Sequence, residues 1–301
     1  MRLLFCVVPL LLSVSGCGDA NSRADGKVRV VATTGMIADI VRNLGGAHVY
    51  LEQLMGEGVD PHLYKPTPGD VAKMQAADII FYNGLHLEGK MGDVFKSMSR
   101  KKVTVPIGER LDHASVLEDD KLGHDPHIWF NVELWRQAAG VVRDELAKLD
   151  AKNADAYKAA AASYQARLAK LHDWVQAEIA SIPTDQRVLI TSHDAFRYFG
   201  KAYGIEVKAV QGISTESEAS LKDINHLVDF MVQRKVKAIF VESSVNPRNM
   251  QALREGCAAR GHQVAQGGEL FSDAMGPDGT PEGTYEGMIA HNVETIVKAL
   301  R

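Results

Sequence analysis

Residues 156–180 read AYKAAAASYQARLAKLHDWVQAEIA, and no proline falls between Pro126 and Pro183. Within this stretch Tyr157, Ala161, Tyr164, Leu168, Leu171 and Val175 recur at alternating intervals of four and three residues. That spacing is a single apolar stripe on a helical period, the mark of a long helix with one buried face. A stripe of this length suits a coiled coil between chains or one helix lying along its own domains, and its small Ala positions favour the second. The stretch from Val132 onward is rich in helix formers too. Gly140 or the Leu149-Asp150 neighbourhood would separate a first helix from the second.

On both sides of this segment the pattern changes to short β-rich runs alternating with helical stretches. Before it, strands are expected over residues 28–32, 49–54, 78–82 and 102–105, with a helix over 36–44 and another starting at Pro68 with Asp70 as its cap. After it, strands are expected over 187–191, 206–210, 238–242 and 262–265, and helices over 219–232, 249–259 and 285–300. This rhythm predicts an α/β fold of two lobes, each a mostly parallel four-stranded sheet flanked by helices, joined by one long helix. The expected divisions are an N-terminal lobe over 28–150, a linking helix over 151–182 and a C-terminal lobe over 183–301. Ligands of open parallel sheets sit beyond the carboxyl ends of strands, and pockets favour seams between domains.

The N-terminal end reads as a targeting segment. Met1-Arg2 is positive, residues 3–12 are an apolar run too short to span a bilayer, and Val14-Ser15-Gly16 are small. Residues 1–16 are therefore expected to be a signal peptide. Val14-Ser15-Gly16-Cys17 resembles a bacterial lipobox, which implies cleavage before Cys17 and its acylation, with residues 17–27 as a lipid-anchored tether. About 285 residues remain, enough for two domains. Cys257 is then the one internal thiol, which leaves no internal disulfide and no all-cysteine metal site. A net charge of -4 with well-mixed signs gives no nucleic-acid surface, and no second segment is long and apolar enough to cross a membrane.

Chemistry concentrates in a doubled motif: Asp60-Pro61-His62-Leu63-Tyr64 and Asp125-Pro126-His127-Ile128-Trp129. Proline fixes its own φ and keeps the preceding aspartate out of the α region, so each histidine leaves a stiff turn in a restricted direction. Thr191-Ser192-His193-Asp194 places a third histidine at a strand tip. Asp273, in the glycine-flanked loop between Gly268 and Gly276, adds a carboxylate. Successive candidates lie 65, 66 and 80 residues apart, so a metal would join loops from both lobes rather than staple a small fold.

Three neutral imidazoles and one carboxylate suit a divalent ion, zinc first. Four protein ligands fill a tetrahedral shell and leave no place for a reactive water, which argues for capture over catalysis. A bidentate Asp273 would make manganese more acceptable. Asp60, Asp125 and Asp194 either accept a ring N–H from the neighbouring histidine or cap turns. His48, His86, His172, His226, His262 and His291 lack comparable context.

Together these motifs resemble the metal-specific solute-binding proteins of bacterial ABC importers for zinc and manganese. The resemblance runs from Val28 through Leu300 and includes Pro66-Thr67-Pro68-Gly69-Asp70, Asn83-Gly84-Leu85, Ala195-Phe196, Tyr198-Phe199, Phe240-Val241-Glu242 and Leu270-Phe271-Ser272-Asp273. It implies that His62 and His127 come from the N-terminal lobe and His193 and Asp273 from the C-terminal lobe. The bridging helix, at about 151–180, would be rigid. Residues 109–124 hold only His113 and His124 where many zinc-dedicated relatives carry a histidine-rich insertion. His193 stands where many manganese-dedicated relatives have glutamate, and Asn131-Val132 replaces a familiar proline. In these respects the chain resembles the treponemal-type branch.

The implied role is capture of Zn2+, with Mn2+ as the alternative, and delivery to a cognate ABC permease driven by a cytoplasmic ATPase. The receptor would be a monomer, periplasmic and anchored through Cys17. A zinc hydrolase using Glu242 or Glu216, and an adhesin holding metal structurally, are the competing classes.

Overall fold

Val28–Ala32 (β1) is the strand around which the first lobe is assembled. It pairs in parallel with Val49–Gln53 (β2) on one side and Ile79–Tyr82 (β3) on the other, and β3 pairs with Val103–Pro106 (β4). The order is β2-β1-β3-β4, with Val30 opposite both Leu51 and Ile79. The computed structural model describes residues 26–301; the leader, Cys17 and the tether up to residue 25 lie outside the described residues.

Successive side chains of a strand point to opposite faces, and both faces here are covered. Val31 and Ile80 pack with Met74 of helix Pro68–Ala76 (α2) and Phe95 of helix Gly92–Met98 (α3). Val30, Ala32, Ile79 and Phe81 face helix Gly35–Gly45 (α1) and the main core. Thr67, not Asp70, caps α2: the Thr67 hydroxyl accepts the Asp70 N–H, and the Asp70 carboxylate accepts the Thr67 N–H at 2.8 Å. Asp70 is the reciprocal half of a capping box, which explains why the sequence reads as a helix start there. Helix α3 and a short antiparallel hairpin, Glu118–Asp119 (β5) with Gly123–His124 (β6), were not anticipated.

The two helices expected after Pro126 are Val132–Leu149 (α4) and Ala154–Ala180 (α5), separated by a turn at Ala151–Asn153. Asn131 starts α4 by accepting the N–H groups of Glu133 and Leu134, doing with a side chain what the missing proline does by geometry. Helix α5 is 27 residues long, about 40 Å at 1.5 Å per residue. Its stripe lies against the protein's own core: Tyr157, Ala161, Tyr164, Leu168 and Val175 are buried, and Leu171 is half-buried. The neighbours are α1, α4 and the last helix, Tyr285–Leu300 (α9).

In the second lobe Val188–Thr191 (β7) pairs with Glu206–Ala209 (β8), and Ala238–Glu242 (β9) pairs with Ala265–Leu270 (β10), both in parallel. β7 and β9 run side by side, so the four strands form one layer of two ladders. Val188, Ile190, Ile239 and Val241 face helices Leu221–Arg234 (α7) and Arg248–Ala259 (α8), while Leu189 and Phe240 face the main core. Helix Arg197–Tyr203 (α6) is a further short element that the sequence pattern did not announce.

The last strand lies later than expected. Residues 260–262 are instead the hydrogen-bonded end of α8, with His262 N–H bonded to Cys257 O and Gly261 at φ +77°. Gly267 and Gly268 made the true strand look like a loop. A Cβ at Gly267 would fall 2.6 Å from the Phe240 ring, and one at Gly268 would fall 2.5 Å from Thr295 of α9. Close helix packing therefore requires both glycines.

One hydrophobic cluster holds Val30 of the first lobe, Leu168 of α5, and Phe240 and Ile296 of the second. The lobes thus share a core through α5 instead of meeting at a flexible linker. No helix among the described residues is long and apolar enough to cross a membrane. Leu168→Ala should lower unfolding free energy by about 2–5 kcal/mol in urea titrations, the range for emptying a closed core site. A loss below about 0.5 kcal/mol, as at exposed sites, would show that the stripe does not carry the core.

Candidate metal centre

The doubled motif builds two similar turns. In each, the aspartate side chain accepts the N–H of the histidine two residues on: Asp60 Oδ1 from His62 at 2.8 Å and Asp125 Oδ1 from His127 at 3.0 Å. The copies then diverge. Asp125 also takes the ring, with His127 Nδ1 at 2.8 Å from Oδ1, which leaves Nε2 as the outward-facing nitrogen. Asp60 sends its second oxygen elsewhere, accepting the Thr215 hydroxyl at 2.5 Å. Asn83 Nδ2 donates to Pro126 O at 2.9 Å and ties the second motif to the end of β3. Buried Glu88 in turn gathers the Thr33 hydroxyl and the N–H groups of Asn83 and Gly84.

His193 sits just past the tip of β7, held by Glu242 at the end of β9. Glu242 Oε1 accepts the N–H groups of Ser192 and His193 at 2.7 and 2.9 Å, and Oε2 lies 2.5 Å from His193 Nδ1. Asp273 follows β10. Its loop is clamped by Asn292 of α9, which bonds both the N–H and the carbonyl of Phe271, and by the Trp129 indole N–H donating to Ser272 O at 3.0 Å.

These four loops bring His62, His127, His193 and Asp273 together, with donor atoms all within 4.8 Å of one another. The His62 and His127 Nε2 atoms are 3.3 Å apart. Asp273 Oδ2 lies 3.6 Å from His62 Nε2 and 3.2 Å from His193 Nε2, and Oδ1 lies 3.4 Å from His127 Nε2. A tetrahedron with corners about 2.0–2.1 Å from its centre has edges of about 3.3–3.4 Å, so this spacing fits zinc-sized coordination. All four side chains are at most 2 % exposed. His193 Nε2 and both Asp273 oxygens are buried with no hydrogen-bond partner among the described residues, and they face one another. Buried polar atoms of this kind call for a partner, and a cation is the partner that suits nitrogen lone pairs and a carboxylate together.

The protein groups alone set up strong coupling. Burial opposes charge on His127, but the Asp125 hydrogen bond and the nearby carboxylates of Asp125 and Asp273 overcome it and push His127 up to about 9. His193 is likewise raised well above its ordinary value despite burial, by Glu242 and Asp273. Burial drives His62 down to about 3, against the pull of Asp273. Burial alone would raise Asp273, yet His193 and His127 hold it well below the usual carboxylate range. Both raised histidines therefore favour the protonated ring beside the buried carboxylates.

Of the three aspartates weighed as ring acceptors, only Asp125 is one. Asp60 caps its turn and crosses to Thr215, and Asp194 bonds Gly212 O through its own N–H. Glu242 fills the ring-acceptor role at His193; an acid closing an otherwise apolar buried strand was the available signal. Asn292 carried none, because a polar residue within a helix is ordinarily a solvated one. Three of the other histidines, His172, His262 and His291, bond Tyr203 Oη, Val236 O and Glu269 O outside the cluster. Cys257 is buried in α8.

Two α/β lobes sharing a helix, with a buried donor cluster at their seam, define the class of two-lobed solute-binding proteins. Within that class the chain belongs to the family described as zinc-uptake complex component A, periplasmic (ZnuA), which matches residues 30–299. It is 47% identical over 302 residues to the zinc-binding protein TroA of Treponema pallidum, covering 99% of this chain and 98% of the relative. It is 44% identical over 302 residues to the manganese-binding lipoprotein MntA of Bacillus subtilis, covering 99% of both. The solved structure of the periplasmic zinc-binding protein TroA from T. pallidum superimposes with a TM-score of 0.90 at 49% identity, covering 91% of this chain and 99% of that one.

The coupling gives a pH expectation. Because His127 and His193 are raised, their protonated forms stabilise the metal-free protein at low pH, and for His127 this contribution disappears as pH rises through about 9. Protons therefore compete with the ion, and metal affinity should fall as pH is lowered from 9 to 6. Zinc calorimetry near pH 7 in buffers of different ionisation enthalpy should register proton release on ion binding. Heats independent of the buffer would contradict this arrangement.

Proposed function

We propose that this chain is the extracytoplasmic receptor of a metal ABC importer. It would capture a divalent ion on His62, His127, His193 and Asp273 and deliver it to a permease driven by a cytoplasmic ATPase. The observation that carries the reading is the buried convergence of three Nε2 atoms and one carboxylate at tetrahedral-edge spacing. Family membership supports the transport role. In keeping with that role, we assign residues 1–16 to a signal peptide, 17–27 to a tether lipidated at Cys17, 28–150 and 183–301 to the two lobes and 151–182 to the linking helix. The protein would act as a periplasmic, membrane-anchored monomer.

Zinc is the first choice of ion, because three imidazole nitrogens and one oxygen complete a tetrahedral shell of intermediate softness. A specific observation favours manganese as a second reading. Both Asp273 oxygens face imidazole nitrogens, so a bidentate carboxylate and five donors are within reach. The two relatives named above differ in the same way, one named for zinc and one for manganese, at similar identity.

The way the acids are used supports capture over catalysis. Glu242, the first candidate base of a hydrolase, is committed to three bonds that hold His193 and its loop. Glu216 points away as the partner of Lys90 at 2.7 Å. An adhesin with a purely structural metal would need the ion to fold, whereas this core closes through α5 by apolar contact.

Competition calorimetry on chelator-stripped protein should give much tighter zinc than manganese binding, and His193→Glu should shift the preference toward manganese by adding carboxylate oxygen. An unchanged ratio of affinities in the variant would contradict the assignment of His193.

A further inference from the structure

The ion must reach donors that are at most 2 % exposed, so some part of the seam has to open. The seam is held in two unlike ways. On one flank the contacts are mainly buried and aromatic: the Phe130 and Phe196 rings lie 4.2 Å apart, Tyr285 Oη donates to Trp129 O at 2.6 Å, and Tyr198 Oη donates to Asp125 O at 2.8 Å, with Arg197 adding polar contacts to Glu118 O and Asp125 at the rim. Separating these would expose the shared core.

On the other flank an irregular segment, residues 211–220 between β8 and α7, reaches across the seam. Ile213 is its one buried apolar side chain. Its root lies on the His193 loop, where Gln211 N–H donates to Ser192 O and Asp194 N–H donates to Gly212 O. Its tip reaches the N-terminal lobe through two consecutive residues. Thr215 Oγ1 donates to Asp60 Oδ2 at 2.5 Å, and Glu216 meets Lys90 at 2.7 Å with both side chains about 40 % exposed. The segment therefore links the loop of one ligand, His193, to the aspartate that shapes the turn of another, His62.

We propose that residues 211–220 are the strap through which the ion enters and leaves, with Thr215 as the positioning residue that fastens it to Asp60. This rests on the metal-capture reading above. The physical basis is the contrast in what opening costs. Releasing the strap gives up one hydrogen bond to a carboxylate and one exposed ion pair, and both groups are re-solvated by water. Releasing the aromatic flank strips apolar surface from the core. When the strap is fastened, Asp60 is fixed from both sides, and its other oxygen holds the His62 N–H. Fastening therefore both shields the ion and stiffens one ligand turn. The Lys90–Glu216 pair adds a weaker, salt-sensitive closure.

Stopped-flow kinetics separate this role from a structural one. Zinc uptake would be followed on mixing ion with chelator-stripped protein, and release by transfer to a chromophoric chelator. Thr215→Val, which keeps the shape and removes the donor, should speed both uptake and release, with release faster by about tenfold or more from loss of a hydrogen bond to a charged group. Thr215→Ser should restore the parent rates, and the metal-free melting temperature should fall by only a few degrees in Thr215→Val. Lys90→Gln should speed release by less than about threefold, and raised salt should abolish that difference. Release from Thr215→Val at the parent rate would overturn the proposal. So would faster release without faster uptake, which would mean that Thr215 merely supports His62. If the parent itself fails to bind zinc or manganese, it is the metal-capture reading that fails.

Discussion

The carboxylate of Asp273 is the constraint around which the molecule is organised. It is buried, it accepts no hydrogen bond among the described residues, and it faces three imidazoles contributed by both lobes. An uncompensated buried charge costs several kcal/mol, so something positive has to share the space. His127 and His193, both raised by the surrounding carboxylates, are the groups that can carry that positive charge. Asp125 and Glu242 stand behind the rings. They hold Nδ1 of each ring and leave Nε2 turned toward Asp273.

That constraint explains the scaffold. Donors from four loops in two lobes can meet within a few ångströms only if the lobes are held in register, and α5 provides this by burying its stripe in a core common to both. The seam is correspondingly uneven, closed by buried aromatic contacts on one flank and by few, polar ones at residues 211–220. Glu88, Asn83 and Asn292 are the less visible supports. Each spends a buried polar group on fixing the backbone beside a donor. The run of positive φ at Gly84, Leu85 and His86 (76, 52 and 65°) lies in the turn that Glu88 ties down, a strained conformation sustained by surrounding bonds.

Much of this was legible in the sequence because it is written in local patterns. The α5 stripe, most strands and the doubled Asp-Pro-His turn each depend on neighbours a few residues apart. The juxtaposition of His62, His127, His193 and Asp273 was expected from strand-end placement and family resemblance, and the structure brings those four side chains together. What escaped depends on distant packing. β10 was misplaced because its glycines answer to α9, not to strand propensity. The ring acceptor of His193 was sought at Asp194 by adjacency, but it is Glu242, 49 residues away, because parallel strands end side by side. Asp60 matched Asp125 in motif and not in role, since its second partner, Thr215, belongs to the other lobe.

X-ray absorption spectroscopy at the zinc edge of the loaded protein tests the central claim most directly. The account predicts a shell of three imidazole nitrogens and one or two carboxylate oxygens at about 2.0–2.2 Å, with the outer-ring scattering of histidine and no sulfur. A shell dominated by water oxygens, or one holding fewer than three imidazoles, would contradict it.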